Sequence, residues 1–265
     1  MNADSTYQIG KDHLVCEDYA LSGVSAGRAY AIVCDGCSAS TDVDFGARAM
    51  ALSAKRTLLL DETLLSEKLF GEVTIRNAQR VFDVFPLLHP QALDTTLLVV
   101  NVQDGKATTY IYGDGIYIHR HKNGVWVNHI ELSGGAPDYL SYHLDYGRMA
   151  SYNAMPIEDR QKEIWYKRDD GTYDMTLRKP FDPVVMKISV EEGDVIAVMS
   201  DGINSFHRSD NTPIDWKELI DDFTNFGPAT AGVFATRRIK NHLMKKCVKE
   251  GWTYRDDISI AAIVV

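Results

Sequence analysis

The chain has 265 residues, 45% of them hydrophobic and 25% charged, a globular composition long enough to bury a sizeable core. Lys and Arg number 28 against 37 Asp and Glu, a net charge of −9, which excludes the basic face that nucleic-acid phosphates require. No apolar run approaches the ~18 residues of a membrane span, and the first residues lack the basic and apolar regions of a secretory signal.

Residues 28–35 (RAYAIVCD) are β-rich and nearly all apolar, as in a strand covered on both faces. Helical spacing follows from Thr41 to Leu60, where Val43, Ala47, Met50, Ala54 and Leu58 form one stripe and Phe45, Ala49 and Leu52 a second, so a sandwiched helix is predicted. Val73, Ala78, Val81, Phe82 and Phe85 predict another helix, stopped near Pro86. Residues 95–132 read as a strand meander with turns at Gln103-Asp104-Gly105-Lys106, Gly113-Asp114-Gly115 and His121-Lys122-Asn123-Gly124. Residues 134–183 are polar and Tyr-rich without sustained periodicity, an irregular excursion that is either a flap over a site or a loop with its own packing. Residues 184–202 predict a hairpin turning at Glu191-Glu192-Gly193-Asp194. Asp215 and Glu218 have the residue types of a capped helix start, while Ala231, Ala235, Ile239 and Leu243 mark a long helix before a last buried strand at 258–265. With no repeat or linker, the expectation is one α+β domain over 1–265, antiparallel sheets flanked by helices.

Carboxylates recur where apolar runs end. Asp35-Gly36 follows the strand closing at Cys34, and Asp201-Gly202 follows another apolar run, although a carboxylate at the mouth of a buried strand costs several kcal/mol unless it is paired or holds a metal. Glu17-Asp18, Asp114 and Asp256-Asp257 border apolar runs in the same way. Taken singly, each reads as a turn residue; taken together, they suit hard divalent cations, Mg²⁺ or Mn²⁺, rather than zinc. Two such ions about 3.5–4 Å apart can share a water and lower its pKa toward about 7. A glycine after the aspartate lets the backbone turn sharply and a carbonyl approach a cation.

The segments HLVCEDYA (13–20), VCDGCSAS (33–40), DTTLLVV (94–100), YGDGIYI (112–118), VMSDGINSF (198–206) and RDDISIAAIVV (255–265) span nearly the whole chain. In that order they resemble the metal-dependent type 2C serine/threonine protein phosphatases. The resemblance implies two packed antiparallel β-sheets flanked by helices, a four-layer sandwich, with a two-metal centre in the cleft between the sheets. Carried over motif by motif, Asp35 would bridge both ions, the Gly36 carbonyl would bind one of them, and Asp201 and Asp256 would hold the other. Glu17 and Asp18 would orient bound waters, and Asp114 with Asp201 would hold a third ion. Asp256 rather than Asp257 is the expected ligand because family members usually carry Asp-Asn at this pair. The implied reaction is hydrolysis of phosphoserine or phosphothreonine on a protein, such as a kinase or its target, by a hydroxide shared between two ions, without a covalent intermediate.

This chain departs from the family pattern at several points, one being Gly113-Asp114-Gly115 where Gly-Asp-Ser is usual. An Arg that often grips substrate phosphate is replaced by His13, with Lys11 nearby: either takes that role, or metal alone holds the phosphate. The His that follows Asp-Gly in eukaryotic members is Cys37, as expected of a bacterial-like chain whose leaving group is protonated by water. These last two substitutions feed an alternative, a catalytically weak or inactive phosphatase-like scaffold that binds a phosphoprotein or partner without turning it over.

Other patterns point elsewhere less well. Four cysteines (Cys16, Cys34, Cys37, Cys247) do not make a disulfide framework, which fits a reducing cytoplasm. Cys34-Asp-Gly-Cys37 lacks the second pair of a zinc site and reads as one core and one incidental cysteine. His119 and His121 share a strand face at a spacing that can bind zinc, but a solvated face is the reading taken. No phosphate-cradling Gly-Lys-Ser/Thr loop is present.

Overall fold

The computed structural model describes residues 1–59, 66–85, 89–168, 170–227 and 231–265. Two antiparallel sheets face each other. One has five strands in the order β10 (Val184–Ser189), β5 (Lys106–Tyr112), β4 (Leu97–Gln103), β3 (Arg28–Cys34) and β2 (Tyr19–Ser25). The other has seven: β1 (Asn2–Gln8), β14 (Ile258–Val264), β11 (Val195–Met199), β6 (Gly115–His121), β7 (Gly124–Leu132), β8 (Lys162–Lys167) and β9 (Tyr173–Arg178). A short pair, β12 (Phe206–His207) and β13 (Thr253–Tyr254), stands apart.

Strand alternation sorts the apolar residues into separate layers. Ala29, Ala31 and Val33 of β3 point between the sheets, where Ile196, Val198, Ala261 and Ile263 pack in the same core. Their neighbours Tyr30, Ile32 and Cys34 point the other way, into a core shared with α1 (Val43–Leu59) and α2 (Glu67–Phe82). On the outer face of the larger sheet, Ile116, Met199 and Ile260 meet α4 (Trp216–Thr224) and α5 (Phe234–Asn241). The result is the expected helix–sheet–sheet–helix sandwich. Each fully buried aliphatic side chain contributes about 1.5–3 kcal/mol.

Helix α1 follows the predicted stripe, with Asp44 in its first turn and Arg56 in its last, both favourable to the helix dipole. Its predicted end at Leu60 and the predicted stop at Pro86 lie outside the described residues. Helix α4 is capped by Asp215, whose side chain accepts from the Lys217 N–H.

Two expectations need correction. The 95–132 meander is two hairpins in different sheets, β4–β5 and β6–β7, joined across the sandwich at Gly113-Asp114-Gly115. Residues 184–202 are not a hairpin either: β10 pairs with β5 in one sheet, while β11 lies between β6 and β14 in the other. Turn residues mark where a chain reverses, but not whether the next strand lies beside its predecessor or in the facing sheet. The two crossings occur at opposite ends of the sandwich, since β6 begins at Gly115 and its far end, Arg120, pairs with Val195 at the start of β11.

The 134–183 segment is also more regular than its composition suggests. It holds α3 (Tyr146–Asn153) and the strands β8 and β9, which extend the seven-stranded sheet from β7. Both faces of β9 are partly or fully exposed, so the apolar alternation that would have announced it is absent. A buried ion pair fastens this segment. Lys162 Nζ lies 2.7 Å from Asp138 Oδ2, both side chains are 1% exposed, and Lys162 also donates to the Asp182 carbonyl. Lys162→Met, which strands the Asp138 charge, is expected to lower stability by about 3–5 kcal/mol in urea titrations, and adding Asp138→Leu should recover most of the loss.

Candidate metal centre

At the end of the sandwich where β3, β11 and the Gly113–Gly115 crossing terminate, acidic side chains from distant parts of the chain converge. Asp35 follows β3 and is fixed by a double contact with Thr96: the Asp35 N–H donates to Thr96 Oγ1 at 3.1 Å, and the Thr96 N–H donates to the Asp35 carbonyl at 2.8 Å. Gly36 bridges to Thr95, and a Cβ there would lie 2.8 Å from Val43 Cβ and 2.9 Å from the Glu17 carbonyl, so only glycine fits. Asp201 opens a 3₁₀ turn after β11. The following Gly202 is forced as well, because its Cβ would fall 1.7 Å from the Asp257 carbonyl.

Asp18, buried at 1% exposure, accepts from Ser200 Oγ at 2.7 Å, which joins the first motif to the end of β11. Asp256 accepts from the Asp257 N–H, while its own N–H donates to Ser205 Oγ at 3.1 Å. Asp257 has a different task. Buried, it takes the Gly10 N–H at 2.6 Å and the Glu17 N–H at 2.5 Å, and so shapes the segment that presents Glu17 and Asp18.

The electrostatics follow from crowding like charges in a partly buried cleft. Asp35 is pushed well above the carboxylate range by burial, then by the charges of Asp18, Asp201, Asp256 and Asp114. Burial likewise pushes Asp18 up to about 7, with Asp257 adding to the rise, and burial with the Asp201 charge pushes Asp114 up to about 8. Asp256 rises for the same two reasons, burial and Asp201. Oδ1 of Asp18 and Oε2 of Glu17 are buried with no hydrogen-bond partner among the described residues. An all-oxygen, mutually repelling, under-satisfied set is what a hard divalent cation neutralises.

The convergence includes Asp18, Asp35, Asp114, Asp201 and Asp256, with Glu17 alongside. His13 sits against the acids: Nε2 is 3.4 Å from Asp256 Oδ1, and Nδ1 is 3.1 Å from Asp257 Oδ2 and 3.9 Å from Glu17 Oε2. Burial lowers its pKa, but contact with Asp257 and the charges of Asp256 and Glu17 outweigh that, and the net shift is upward. Lys11 is exposed, its backbone tied to Tyr254, and it forms no ion pair with the cluster among the described residues. All four cysteines are free, with Cys34 buried in the core.

Glu131 and Glu163 have no sequence signal, and Asp94 is marked only as the start of the DTTLLVV motif. Glu131 and Glu163, cross-strand partners on β7 and β8, line a cavity of about 420 Å³ with Asp114 and Asp201. Burial, then Glu163 and Asp201, raise the Glu131 pKa. Asp94 accepts from Ser40 Oγ at 2.9 Å, Ser141 Oγ at 2.5 Å and Arg148 at 2.6 Å, while its carbonyl takes the Cys37 N–H. It thereby fastens the start of the 134–183 segment beside Gly36. Only proximity in the folded chain reveals these contacts.

Two packed antiparallel sheets flanked by helices, with an acidic cleft at the strand ends, make up a phosphatase-like fold. The family model described as protein phosphatase 2C matches residues 9–141, and the chain belongs to that family. Among solved structures, the Mycobacterium tuberculosis serine/threonine phosphatase PstP/Ppp superposes with a TM-score of 0.56 at 13% identity, covering 98% of this chain and 96% of that one. PppA, a regulatory component of T6SS in Pseudomonas aeruginosa, gives 0.54 at 14% identity, covering 99% and 97%. The catalytic domain of PstP in complex with two manganese ions gives 0.53 at 16%, again covering 99% and 97%. These identities speak for the fold. No curated protein matches the chain. No helix among the described residues is long and apolar enough to cross a membrane.

Carboxylates whose folded pKa is raised bind more protons in the folded than in the unfolded chain once pH exceeds about 4, so their contribution to stability falls as pH rises. For Asp18 and Asp114 the loss runs from about 4 up to about 7 and 8. The chelator-treated protein should therefore show a urea midpoint that drops between pH 5 and pH 8. Mg²⁺ or Mn²⁺ should restore it, and Asp18→Asn should flatten the pH dependence.

Proposed function

We propose that the chain hydrolyses phosphoserine and phosphothreonine on proteins, using two Mg²⁺ or Mn²⁺ ions. The observation that carries this reading is the meeting of Asp18, Asp35, Asp114, Asp201 and Asp256 in one partly buried cluster, from motifs more than two hundred residues apart. Asp35 and the Gly36 carbonyl, with Asp201 and Asp256, would hold the pair, and Asp114 with Asp201 a third ion. When bound, such ions supply positive charge for phosphoryl oxygens and lower the pKa of a water toward about 7.

The chain's own groups then orient and neutralise. The free oxygens of Asp18 and Glu17 accept from waters and fix their direction. His13, kept more basic by Asp257, Asp256 and Glu17, stands against the cluster and is the first candidate to donate to substrate phosphate in place of the family's Arg. Lys11, exposed on the same segment, is the second candidate for that contact. Phosphorus is attacked in line by water, and the leaving serine or threonine oxygen takes its proton from solvent, since Cys37 stands where eukaryotic members carry a His.

The natural substrate is proposed to be a regulatory phosphoprotein, a kinase or its target, in a bacterial cytoplasm; PppA, described as a regulatory component, has the same fold. The pairing of His13 with carboxylates favours, as a second reading, a weak or inactive scaffold that binds a phosphoprotein. Hydrolysis of p-nitrophenyl phosphate and of a phosphothreonine peptide with Mn²⁺ separates the two. Activity should vanish with chelator, and Asp35→Ala and Asp201→Ala should each lower kcat/KM by about 10³, roughly 4 kcal/mol, with the fold intact. Activity surviving both substitutions refutes the mechanism; calorimetric binding of ions without turnover selects the scaffold.

A further inference from the structure

The end of the sandwich opposite the acidic cleft carries a second cluster with a different donor set. Strand β6 starts beside Asp114 and runs to His121, so its far end lies roughly 20 Å from the cleft. On the face turned between the sheets, Tyr117, His119 and His121 succeed one another at every second position. They border a cavity of about 460 Å³ with Trp126, Met186 and Ile188. Asp194 reaches the same point from the crossing between β10 and β11 and is 2% exposed. Its Oδ2 lies 3.1 Å from His119 Nε2 and its Oδ1 2.5 Å from His121 Nδ1. This corrects the solvated-face reading: the two imidazoles are half-buried and aimed at one carboxylate.

We propose that His119, His121 and Asp194 form a zinc site. Their ligand atoms all lie within 4.8 Å of one another, and a tetrahedral centre with bonds of about 2.0–2.1 Å separates its ligands by about 3.3 Å, so small side-chain rotations suffice. Two imidazole nitrogens and one carboxylate select a borderline transition ion over Mg²⁺ or Ca²⁺, which take oxygen. Zinc takes the place of the hydrogen bonds between the rings and Asp194, and a proton on a ligating nitrogen moves to the ring's other nitrogen or to solvent. The supports of such a site are in place. The Glu191 N–H donates to Asp194 Oδ2 at 3.0 Å and holds the carboxylate, and Trp126 stacks on His119 at 5.4 Å.

An independent observation points to an occupant. The hydroxyl of Tyr117, a residue only 3% exposed, lines this cavity and has no hydrogen-bond partner among the described residues. A buried hydroxyl left unpaired costs about 1–3 kcal/mol. A water completing the zinc coordination gives it one. The ion would pin the β10–β11 crossing to β6 and close this end of the sandwich, without touching the acidic cleft.

The test uses the full chain carrying Asp35→Asn and Asp201→Asn, so that ions in the cleft do not contribute, after chelation and removal of the chelator. Calorimetry with Zn²⁺ should show one equivalent binding more tightly than about 10 μM. Co²⁺ should quench part of the tryptophan fluorescence, a part absent in Trp126→Phe. His119→Gln and His121→Gln, with circular dichroism confirming the fold, should each weaken zinc about 100-fold or more. Binding weaker than about 10 μM, or equal affinity in the double His→Gln chain, overturns the proposal. Should those variants fail to fold, imidazole ¹⁵N–¹H spectra of the chain with its histidines intact decide: among its eight histidines, zinc must move the signals of His119 and His121, and movement confined to others also overturns it.

Discussion

Mutual repulsion among carboxylates in a partly buried cleft is the constraint around which the molecule is arranged. Asp35 has Asp18, Asp114, Asp201 and Asp256 close enough to raise its pKa on top of the cost of burial. A cluster like this would relax apart if any member were held by a flexible loop. Each is instead mounted at the end of a strand whose two faces are packed, or on a backbone segment tied to one. Rigid sheets hold the charges together against their own repulsion, the arrangement that the proposed binding of cations requires.

The backbone near the cleft shows the same constraint at closer range. Gly36 and Gly202 occur where the main chains of separate motifs pass too close for a Cβ, against the Glu17 carbonyl and the Asp257 carbonyl respectively. The glycine after each of these aspartates therefore lets motifs distant in sequence lie against each other. Asp257 and Ser200 complete the framework, one accepting the Gly10 and Glu17 N–H groups and the other donating to Asp18. Like-charge crowding is thus offset by hydrogen bonds that orient the acids. His13 lies against Asp256 and Asp257.

The two ends of the sandwich differ in chemistry because different segments cross between the sheets there. The Gly113–Gly115 crossing carries Asp114 into an oxygen-rich cleft with Glu131 and Glu163. The β10–β11 crossing carries Asp194 to a pair of imidazoles. Hard cations fit the first donor set and a borderline transition ion the second, by ligand type alone.

The sequence by itself determined the buried strands, the helix stripes and the acids at strand ends. Those signals are local: apolar periodicity at two or 3.6 residues, and a costly charge placed next to an apolar run. It also carried the order of motifs by which the family is recognised, and with it the choice of Asp256 over Asp257 as a ligand candidate. Tertiary structure alone decided that β5 and β10 send the chain to the facing sheet, that β8 and β9 extend the larger sheet, and that Glu131 and Glu163 stand beside the cleft. It also turned His119 and His121 toward Asp194 instead of water. Those outcomes depend on which strands become neighbours, and side chains more than seventy residues apart leave no mark of their proximity on either local pattern.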